Sequence, residues 1–479
     1  MNIQQKRDHL SINLEGKYLD FTRKLSCVLR SHFKQGTVVL QDLAHDVSQA
    51  IILSAWYAGW RVAILPPHLS LEVKHLLLIQ LQANLIISTN NNEVIQIKGD
   101  HRCQSITIDA HHQISSITSW IDSQYQAEKL DYPSYLWSKN HTALVLFTSG
   151  STGIPKGVCH SLFGILASAE RFIQHFKISA TDRLLNTALI HTMSGFRCSV
   201  MLPIICGCQV NKSSINGGVF QILELLEKER PTVIITGPNI IRQLSMLRDK
   251  IGNLTTSIRF VLCTGAKLNL DDRLSLFEKL NLKVINYYGL TETGGLAITE
   301  SDQTYNAANK SIGKACNDVE IKVIDRDGQE IDRGYGELRV YCSSIFLGYL
   351  GQDLSLNRSF DTGDLVEIDS VGDVTLLHRL KSGVKATNTE WIYPETVALW
   401  LRTNTLIIDV HISVYYDTYE RANFQAEVAG INPANWEEWS AATYQRLLID
   451  LGQHYQVIKW VMVCSIVRSN LGKYQRTIY

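Results

Sequence analysis

The segment Leu146-Phe-Thr-Ser-Gly-Ser-Thr-Gly-Ile-Pro-Lys-Gly157 combines hydroxyl side chains, glycines and a lysine directly after an apolar run. Glycine lets the backbone approach a polyphosphate closely, and backbone N–H groups and hydroxyls donate hydrogen bonds to its oxygens. The lysine adds a positive charge. The order differs from a Walker A loop, in which Gly-Lys precedes Ser or Thr. We predict that this loop contacts a nucleotide through Thr148, Ser149, Gly150, Ser151, Thr152, Gly153 and Lys156.

Apolar runs alternate with helix-like segments before this loop. Thr37–Leu40, Arg61–Leu65 and Ala83–Ser88 have the pattern of buried strands. Between the first two, a predicted helix begins with Ser48 as its N-cap and stops at Gly59. This alternation of strand and helix predicts parallel sheets with helices on their faces.

The same alternation continues after the loop and then changes. Strands are predicted at Val233–Thr236, Phe260–Thr264 and Lys283–Tyr287, and from Ile321 shorter strands predict a small antiparallel sheet or barrel. We therefore predict an α/β protein whose large N-terminal domain, residues 1–380, has parallel β-sheets flanked by helices plus a small β-barrel. Residues 381–479 are predicted to form a small, mobile α+β lid.

Composition excludes several classes of protein. In this chain of 479 residues, Lys and Arg total 46 and balance 46 Asp and Glu, which argues against nucleic-acid binding. The most apolar stretches contain Arg or Gln and the N-terminus is polar, so we expect neither a membrane span nor a secretory signal. Ten cysteines are scattered along the chain, and Cys206 and Cys208 would share one face of a strand. We interpret them as reduced cysteines of a cytoplasmic protein.

Two further motifs follow the glycine-rich loop in order, Asn286-Tyr-Tyr-Gly-Leu-Thr-Glu292 and Phe360-Asp-Thr-Gly-Asp364. Together with Leu146–Gly157 they resemble the signatures of the adenylate-forming (AMP-binding) superfamily. That superfamily contains acyl- and aryl-CoA synthetases, adenylation domains and firefly-type luciferases. The resemblance implies an enzyme that uses ATP and Mg²⁺ to convert a small carboxylic acid into an acyl adenylate.

The resemblance also implies roles for single residues around the nucleotide. Tyr288 offers a ring to adenine, Thr291 donates to the α-phosphate, and Glu292 is a carboxylate ligand for Mg²⁺. Asp364 accepts from the ribose hydroxyls, and Arg379 reaches the same sugar. The remaining residues implied to line the nucleotide are Asn286, Tyr287, Gly289, Gly265 and Ala266.

The segment Ala188-Leu-Ile-His-Thr-Met-Ser-Gly195 resembles the acyl-pocket motif of the superfamily. His191 is a candidate to gate the pocket or to neutralise a carboxylate, and the alternative is a packed core histidine. Members that activate amino acids carry an aspartate near this motif, whereas this chain has Thr192 and Met193, which favours an apolar or aromatic acid. The residues implied to contact the acid are His191, Thr192, Met193, Phe196 and Gly237.

The C-terminal run Ser469-Asn-Leu-Gly-Lys-Tyr-Gln-Arg476 resembles a motif whose lysine enters the active site from the lid. The resemblance implies that Lys473 stabilises negative charge at the reacting centre, which makes it catalytic together with Thr291, Glu292 and His191. The pair Gly348-Tyr349 matches another family motif, and we interpret it as a tight turn.

The hinge region departs from the family pattern. Lys381 or Ser382 is our hinge candidate, and the glycine expected near Asn388 or Thr389 is missing from a turn that lines the thiol tunnel in the family. The acyl acceptor therefore stays open between CoA and the phosphopantetheine of an acyl carrier protein. Two further alternatives are an inactive nucleotide-binding regulator and, more remotely, a luciferase-type oxygenase.

Overall fold

The computed structural model describes residues 16–32, 36–67, 69–89, 104–107, 113–125, 138–148, 155–211, 218–266, 268–325, 327–352, 354, 359–379, 384–385, 391–392, 397, 400–401, 407–416, 422–450 and 459–463. The chain divides into two compact units. The first comprises Met1–Glu320 and Val340–Phe360, and the second comprises Ile321–Arg339 and Asp361–Tyr479. Residues 380–383 lie outside the described residues, so the domain boundary at residue 380 stays a prediction.

The first unit contains a sheet whose seven described strands follow the order β17-β6-β5-β2-β1-β3-β4. The strands are β1 (Thr37–Gln41), β2 (Arg61–Ile64), β3 (Leu85–Ser88), β4 (Gln104–Thr107), β5 (Thr142–Thr148), β6 (Lys156–Ser161) and β17 (Gly348–Tyr349). Neighbouring strands from β5 to β4 run parallel, whereas β6 is antiparallel to both β5 and β17. Helix α1 (Gly16–His32) precedes β1, and the helices between the strands are α2 (His45–Ala58), α3 (Leu71–Gln80) and α4 (Gln113–Gln124).

A second sheet of the first unit has the order β13-β12-β11-β10-β9-β7-β8 among the described strands. The strands are β7 (Arg183–Asn186), β8 (Gln209–Val210), β9 (Val233–Thr236), β10 (Phe260–Cys263), β11 (Val284–Tyr288), β12 (Ile298–Thr299) and β13 (Lys314–Ala315). The five strands from β11 to β8 are parallel, and β12 and β13 are antiparallel additions. The chain reverses its direction of travel across the sheet between β7 and β9, and such a switch point is where α/β sheets open a crevice for ligands.

Helices surround this second sheet. They are α5 (Leu162–Phe176), α6 (Met193–Phe196), the π-helical turn Arg197–Met201, α7 (Leu202–Cys206), α8 (Gly218–Glu229), α9 (Pro238–Met246) and α10 (Leu270–Leu280). The helices α8, α9 and α10 pack Ile222, Ile241 and Leu276 against Ile234 and Val261 of the sheet. Each fully buried aliphatic side chain contributes about 1.5–3 kcal/mol relative to exposure, so this layer holds the parallel strand ends in place.

The second unit contains strands of two to ten residues, so the prediction that the strands become shorter from Ile321 is wrong. One sheet has the order β15-β14-β16-β18-β19, with β14 (Val319–Ile324), β15 (Glu330–Ile331), β16 (Gly334–Cys342), β18 (Ser359–Ile368) and β19 (Val374–Arg379). A two-stranded sheet joins β20 (Val384–Lys385) to β21 (Trp391–Ile392). Three strands, β22 (Asp409–Tyr416), β23 (Ala422–Ala429) and β24 (Lys459–Val463), form the last sheet, and their core includes Leu447 of α11 (Trp436–Asp450).

The structure confirms the α/β class and the predicted strands up to one or two residues at their ends. The predicted helix stop at Gly59 is also confirmed, because Gly59 has φ 81° and its N–H bonds the carbonyls of Ala55 and Trp56. The predicted N-cap at Ser48 is wrong. Helix α2 begins three residues earlier at His45, and the backbone N–H of Ser48 already bonds the carbonyl of Ala44 inside the first turn. Apolar side chains before Ser48 are buried, and tertiary packing extends the helix.

Cys206 ends α7 and Cys208 precedes β8, so the expectation that they share one face of a strand is wrong. No helix in the described part of the chain is both long and apolar enough to cross a bilayer.

Candidate active site

The glycine-rich loop closes a hairpin between β5 and β6. Thr148 at the end of β5 pairs with Lys156 at the start of β6 in antiparallel register. Residues 149–154 lie outside the described residues, so the contacts predicted for Ser149, Gly150, Ser151, Thr152 and Gly153 stay predictions. The described ends place an exposed lysine beside the predicted phosphate loop.

Lys156, Tyr349 and Glu292 form a connected set. The Nζ of Lys156 lies 5.6 Å from the centre of the Tyr349 ring, within the range of a cation–π contact. The hydroxyl of Tyr349 donates a hydrogen bond of 2.9 Å to Oε1 of Glu292. Strand β17 pairs with β6, which holds Tyr349 beside the hairpin. A cation and a carboxylate from distant parts of the sequence are thereby brought together through one aromatic ring.

Glu292 lies on a 3₁₀ turn, Thr291–Thr293, that follows β11. Gly294 ends this turn with φ 79°, and a Cβ at Gly294 would lie 2.7 Å from the side chain of Ser344. The turn also needs glycine at its start, since a Cβ at Gly289 would lie 2.4 Å from the backbone carbon of Gly295. The spacing of glycines around Thr291 and Glu292 therefore reflects close backbone packing as well as any ligand.

Buried side chains donate hydrogen bonds to backbone carbonyl groups in and just after this turn, which have no partner within a helix. Ser168 Oγ donates to Gly294 O at 2.5 Å, and Arg197 Nη1 donates to the same oxygen at 2.9 Å. Arg171 Nη1 donates to Leu296 O at 2.8 Å, and Ser344 Oγ donates to Thr293 O at 2.8 Å. We call these four side chains the turn cradle. They come from α5, the π-helical turn and the segment after β16, so they fix Glu292 from three directions.

Arg197 is the least exposed charge in this cradle, with 1% of its surface accessible. Its guanidinium lies 4.6 Å from the ring centre of Phe172 and 5.6 Å from that of Tyr287. The Nε of Arg197 has no hydrogen-bond partner among the described residues. The two ring faces and the Gly294 carbonyl therefore stabilise the positive charge in place of water.

His160 on β6 contacts the same turn at the backbone of Thr291. Only 1% of its surface is exposed, and its imidazole makes a hydrogen bond to the backbone of Thr291. Burial lowers the pKa of His160 to about 4, and the hydrogen bond to Thr291 only partly offsets that effect. The imidazole is therefore neutral at pH 7 and acts as a fixed hydrogen-bonding group behind Thr291.

The carboxyl ends of β9, β10 and β11 meet at one edge of the second sheet and collect several predicted residues. Gly237 follows β9, Gly265 and Ala266 follow β10 and are exposed, and Asn286 lies on β11. Tyr288 at the end of β11 is partly exposed, as a stacking role requires.

Tyr287 points the opposite way. It is 1% exposed, and its hydroxyl lies 2.6 Å from Ser194 Oγ. The side chain of Tyr287 thus packs inside the protein, so the predicted nucleotide contact of this residue rests on its backbone alone.

The predicted acid-binding residues lie at the switch point of the second sheet. The segment that holds His191 follows β7, and Gly237 follows the neighbouring β9. A hydrogen bond of 2.8 Å between the hydroxyls of Thr187 and Thr236 ties these two strand ends together. His191 retains some exposure, yet burial by its surroundings lowers its pKa to about 4, so it is neutral at pH 7.

The other residues of that segment have structural contacts. Thr192 is the N-cap of α6, accepting from Gly195 N at 3.1 Å. Met193 is buried against Gly295, and Phe196 has no exposed surface and packs edge-on against Trp56. The predicted acid contacts of Thr192, Met193 and Phe196 stay predictions, and in this structure Phe196 contributes to the core.

In the second unit, the two residues predicted for ribose lie together. Asp364 pairs with Arg379 across β18 and β19, and Arg379 Nε donates to Asp364 Oδ1 at 2.9 Å. Asp364 is 5% exposed while Arg379 is exposed. Gly363 has φ 72°, and its N–H bonds Glu337 Oε1. The Thr-Gly-Asp motif is thus a kink inside strand β18, and not a turn between strands.

Comparison with known proteins decides the family. A model of the AMP-binding enzyme family matches residues 19–350, more than half of the chain. The chain belongs to the AMP-binding enzyme family. A 2-succinylbenzoate–CoA ligase of Enterococcus faecalis is 27% identical over 360 residues, which cover 74% of this chain and 70% of the relative.

Two further similarities extend the comparison. A medium-chain fatty-acid–CoA ligase of Escherichia coli is 27% identical over 249 residues, which cover 50% of this chain and only 43% of the relative. The solved o-succinylbenzoate CoA synthetase of Bacillus subtilis, in complex with an acyl-adenylate intermediate, has a TM-score of 0.78 and 20% identity. That similarity covers 95% of this chain and 91% of the other, and it shows that the two share a fold.

Several predicted residues of this AMP-binding enzyme lie outside the described residues. These are Lys473 and its motif, the hinge candidates Lys381 and Ser382, and the positions Asn388 and Thr389. Their roles stay predictions.

Sequence reasoning missed several residues of the candidate site, among them Tyr349, His160 and Arg197. Tyr349 was interpreted only as part of a tight turn. In the structure its ring also contacts Lys156, and its hydroxyl donates a hydrogen bond to Glu292. Its aromatic side chain next to a family glycine was the available signal. His160 and Arg197 left no signal, since a histidine in a strand and an arginine after an apolar motif are indistinguishable from surface residues in sequence.

Proposed function

We propose that this AMP-binding enzyme activates a carboxylic acid with ATP in the presence of Mg²⁺ and then transfers the acyl group to the thiol of CoA. In the first step, a carboxylate oxygen attacks the α-phosphorus of ATP and pyrophosphate leaves. In the second, the thiol displaces AMP from the acyl adenylate. The observation that supports this proposal best is the connected set of Lys156, Tyr349 and Glu292 beside the glycine-rich hairpin.

The chemistry of this set fits a magnesium–triphosphate. Magnesium bound to nucleotide needs only one or two carboxylates, since phosphate oxygens and water fill its other positions. In the described part of the chain no three His, Cys, Asp or Glu side chains cluster as a metal site, so a protein-only cage is absent there. Glu292 is partly exposed, and Tyr349 occupies only one of its two oxygens. The exposed Lys156 supplies a positive charge for the phosphates.

Other residues of the chain would orient the two substrates. In the proposal Tyr288, Gly265 and Ala266 contact adenine, while Asp364 and Arg379 hold the ribose hydroxyls. Thr291 donates to the α-phosphate, and the turn cradle prevents its backbone from moving. Lys473 stabilises the negative charge that develops between the carboxylate and the α-phosphate. A lid that removes Lys473 afterwards would open the site to the thiol.

The proposed acid is aromatic or apolar. The segment from Ala188 to Phe196 contains no carboxylate that could pair with the ammonium of an amino acid. His191 is neutral at pH 7, so it can donate a hydrogen bond to the acid without forming an ion pair with it. Relatives named 2-succinylbenzoate–CoA ligase and medium-chain fatty-acid–CoA ligase support aryl acids and fatty acids as the first classes to test.

The test is pyrophosphate release by the full-length chain over a panel of aryl, fatty and amino acids, followed by detection of the acyl-thioester. We expect release with at least one aryl or fatty acid and acyl-CoA as product when CoA is added. Glu292→Gln should abolish release, whereas Glu278→Gln on the exposed face of α10 should not change it. Pyrophosphate release without acyl-CoA, but with loading of a carrier protein, would mean that the thiol acceptor is the phosphopantetheine of that carrier and not CoA. No release with any acid would refute the proposal.

A further inference from the structure

The segment Cys206-Gly-Cys208 is a pair of thiols that the proposed reaction does not use. Cys206 is the last residue of α7 and is partly exposed, whereas Cys208 is 3% exposed and directly precedes β8. Both are free cysteines: the Cys208 thiol donates a hydrogen bond to the sulfur of Cys206, and the Cys206 thiol donates to the carbonyl oxygen of Leu202 at 3.2 Å. The pair lies at a junction between a helix and a strand, where the chain turns sharply.

Gly207 sets the distance between the two cysteines. The separation of Cα atoms two positions apart depends on the dihedral angles of the residue between them. Gly207 has φ 71° and ψ 13°, the left-handed helical region, which gives the same separation as the mirror-image right-handed values. From helix geometry that separation is about 5.4 Å. It falls inside the Cα range of about 4.4–6.8 Å that disulfides span.

We infer that Cys206 and Cys208 form a redox-active dithiol, a modification site that closes to an intramolecular disulfide when it meets a low-molecular-weight disulfide. Cys206 is the attacking thiol, because it is partly exposed whereas Cys208 is buried. Its thiolate displaces one thiol from the reagent and forms a mixed disulfide. The Cys208 thiolate then attacks the Cys206 sulfur and releases the second thiol. In sum, two protein thiols and one disulfide give one protein disulfide and two small thiols.

The environments of Cys206 and Cys208 agree with their roles as first and second nucleophile. The hydrogen bond from Cys208 lowers the pKa of Cys206 to about 7, while burial works against it. At pH 7 that gives a thiolate fraction roughly tenfold above that of an ordinary free thiol. The pKa of Cys208 is raised by its hydrogen bond to Cys206 and by burial, so Cys208 stays protonated until Cys206 has reacted. The two thiols therefore react in sequence.

Cys208 is also held in place as the second nucleophile. Strand β8 starts at the next residue and pairs with β7. Asn211, just beyond β8, accepts from Asn186 N at 2.7 Å through Oδ1, and its carbonyl oxygen lies 3.0 Å from Nδ1 of His45. This anchoring keeps the Cys208 sulfur near Cys206. A ring closed across a single residue is strained, so we expect the disulfide to be readily reduced again.

The experiment treats the reduced full-length chain with oxidised glutathione at pH 7, blocks free thiols and analyses peptides by mass spectrometry. In the unsubstituted chain we expect Cys206 and Cys208 to lose two hydrogen atoms together and to carry no glutathione. In Cys208→Ser we expect a stable glutathione adduct on Cys206. In Cys206→Ser we expect Cys208 to stay unmodified, because it is buried.

Cys342 provides the matched control, since it is a free, partly exposed cysteine with no second cysteine within two positions of it in the sequence. We expect Cys206 to react faster than Cys342, because the lowered pKa of Cys206 raises its thiolate fraction more than it lowers its nucleophilicity. A persistent glutathione adduct on Cys206 in the unsubstituted chain would overturn the inference. So would recovery of both thiols unchanged after Cys342 has reacted. These outcomes do not depend on the proposed ligase activity.

Discussion

Tyr349 donates its hydroxyl hydrogen to Glu292 at 2.9 Å across 57 positions of sequence, and its ring faces Lys156. Strand β17 is only two residues long, yet its pairing with β6 puts this tyrosine between the glycine-rich hairpin and the turn after β11. One hydrogen bond thus restricts the rotation of the carboxylate proposed to bind magnesium. Orientation of a ligand by a neighbouring hydrogen bond is a general feature of metal sites.

Removal of this hydrogen bond should impair the use of magnesium–ATP. In Tyr349→Phe the ring facing Lys156 remains, but Glu292 can rotate freely. A hydrogen bond to a charged group contributes about 1.5–3 kcal/mol, so we expect kcat/KM for magnesium–ATP to fall by roughly tenfold. The KM for the acid should stay unchanged. Pyrophosphate release at varied magnesium–ATP and at varied acid measures both, with Tyr335→Phe on the exposed surface as the control.

The turn cradle should act as a unit. Ser168 and Arg197 donate to the same Gly294 carbonyl, so each can compensate for loss of the other. We expect Ser168→Ala and Arg197→Met to lower kcat/KM for magnesium–ATP by about threefold each, and the double variant to lose markedly more than the product of the two, as coupled neighbours do. Strictly multiplicative effects in this double-mutant cycle would contradict a shared role.

Lys473 should matter for the first half-reaction alone. We expect Lys473→Ala to slow acyl-adenylate formation by at least about a hundredfold, as removal of one charge partner of the transition state does. With acyl adenylate supplied directly, the same variant should form acyl-CoA at the normal rate. Quenched-flow assays of the two steps test this, and the exposed Lys250→Ala serves as the control. Equal losses in both steps would rule out the assigned role.

His160 should make the protein less stable in mild acid. The pKa of His160 is lowered from 6.5 to about 4. Between these two pH values the imidazole is therefore protonated in the unfolded chain and neutral in the folded chain. This contribution to stability is complete above pH 6.5 and is lost as the pH falls toward 4. The loss is about 2 kcal/mol at pH 5 for this group.

In His160→Asn the amide can still bond the backbone of Thr291, but it does not titrate. Urea unfolding at pH 7 and pH 5 should therefore show a smaller drop in unfolding free energy for this variant than for the unsubstituted chain. His175→Asn, at a partly exposed position on α5, controls for the change of residue type. An identical drop in His160→Asn would show that other groups account for the acid sensitivity.

The sequence alone predicted elements whose pattern is local. Val233–Thr236 was predicted with its observed ends, because the apolar pattern of a buried strand is contained within one stretch of chain. Ser48 shows the limit of such patterns. A good capping residue three positions inside α2 could not be told from a true N-cap, because packing of the preceding residues decided where the helix began.

The sequence by itself determined the family, the α/β class and the residue types that phosphate and carboxylate chemistry need, since these depend on motifs of contiguous residues. Only the tertiary structure decided that Tyr287 turns inward while Tyr288 stays accessible, and that Tyr349 joins Lys156 to Glu292. The physical reason is that hydrogen bonds and burial act between residues far apart in the chain. Strand pairing and sheet order set those distances, and no local pattern encodes them.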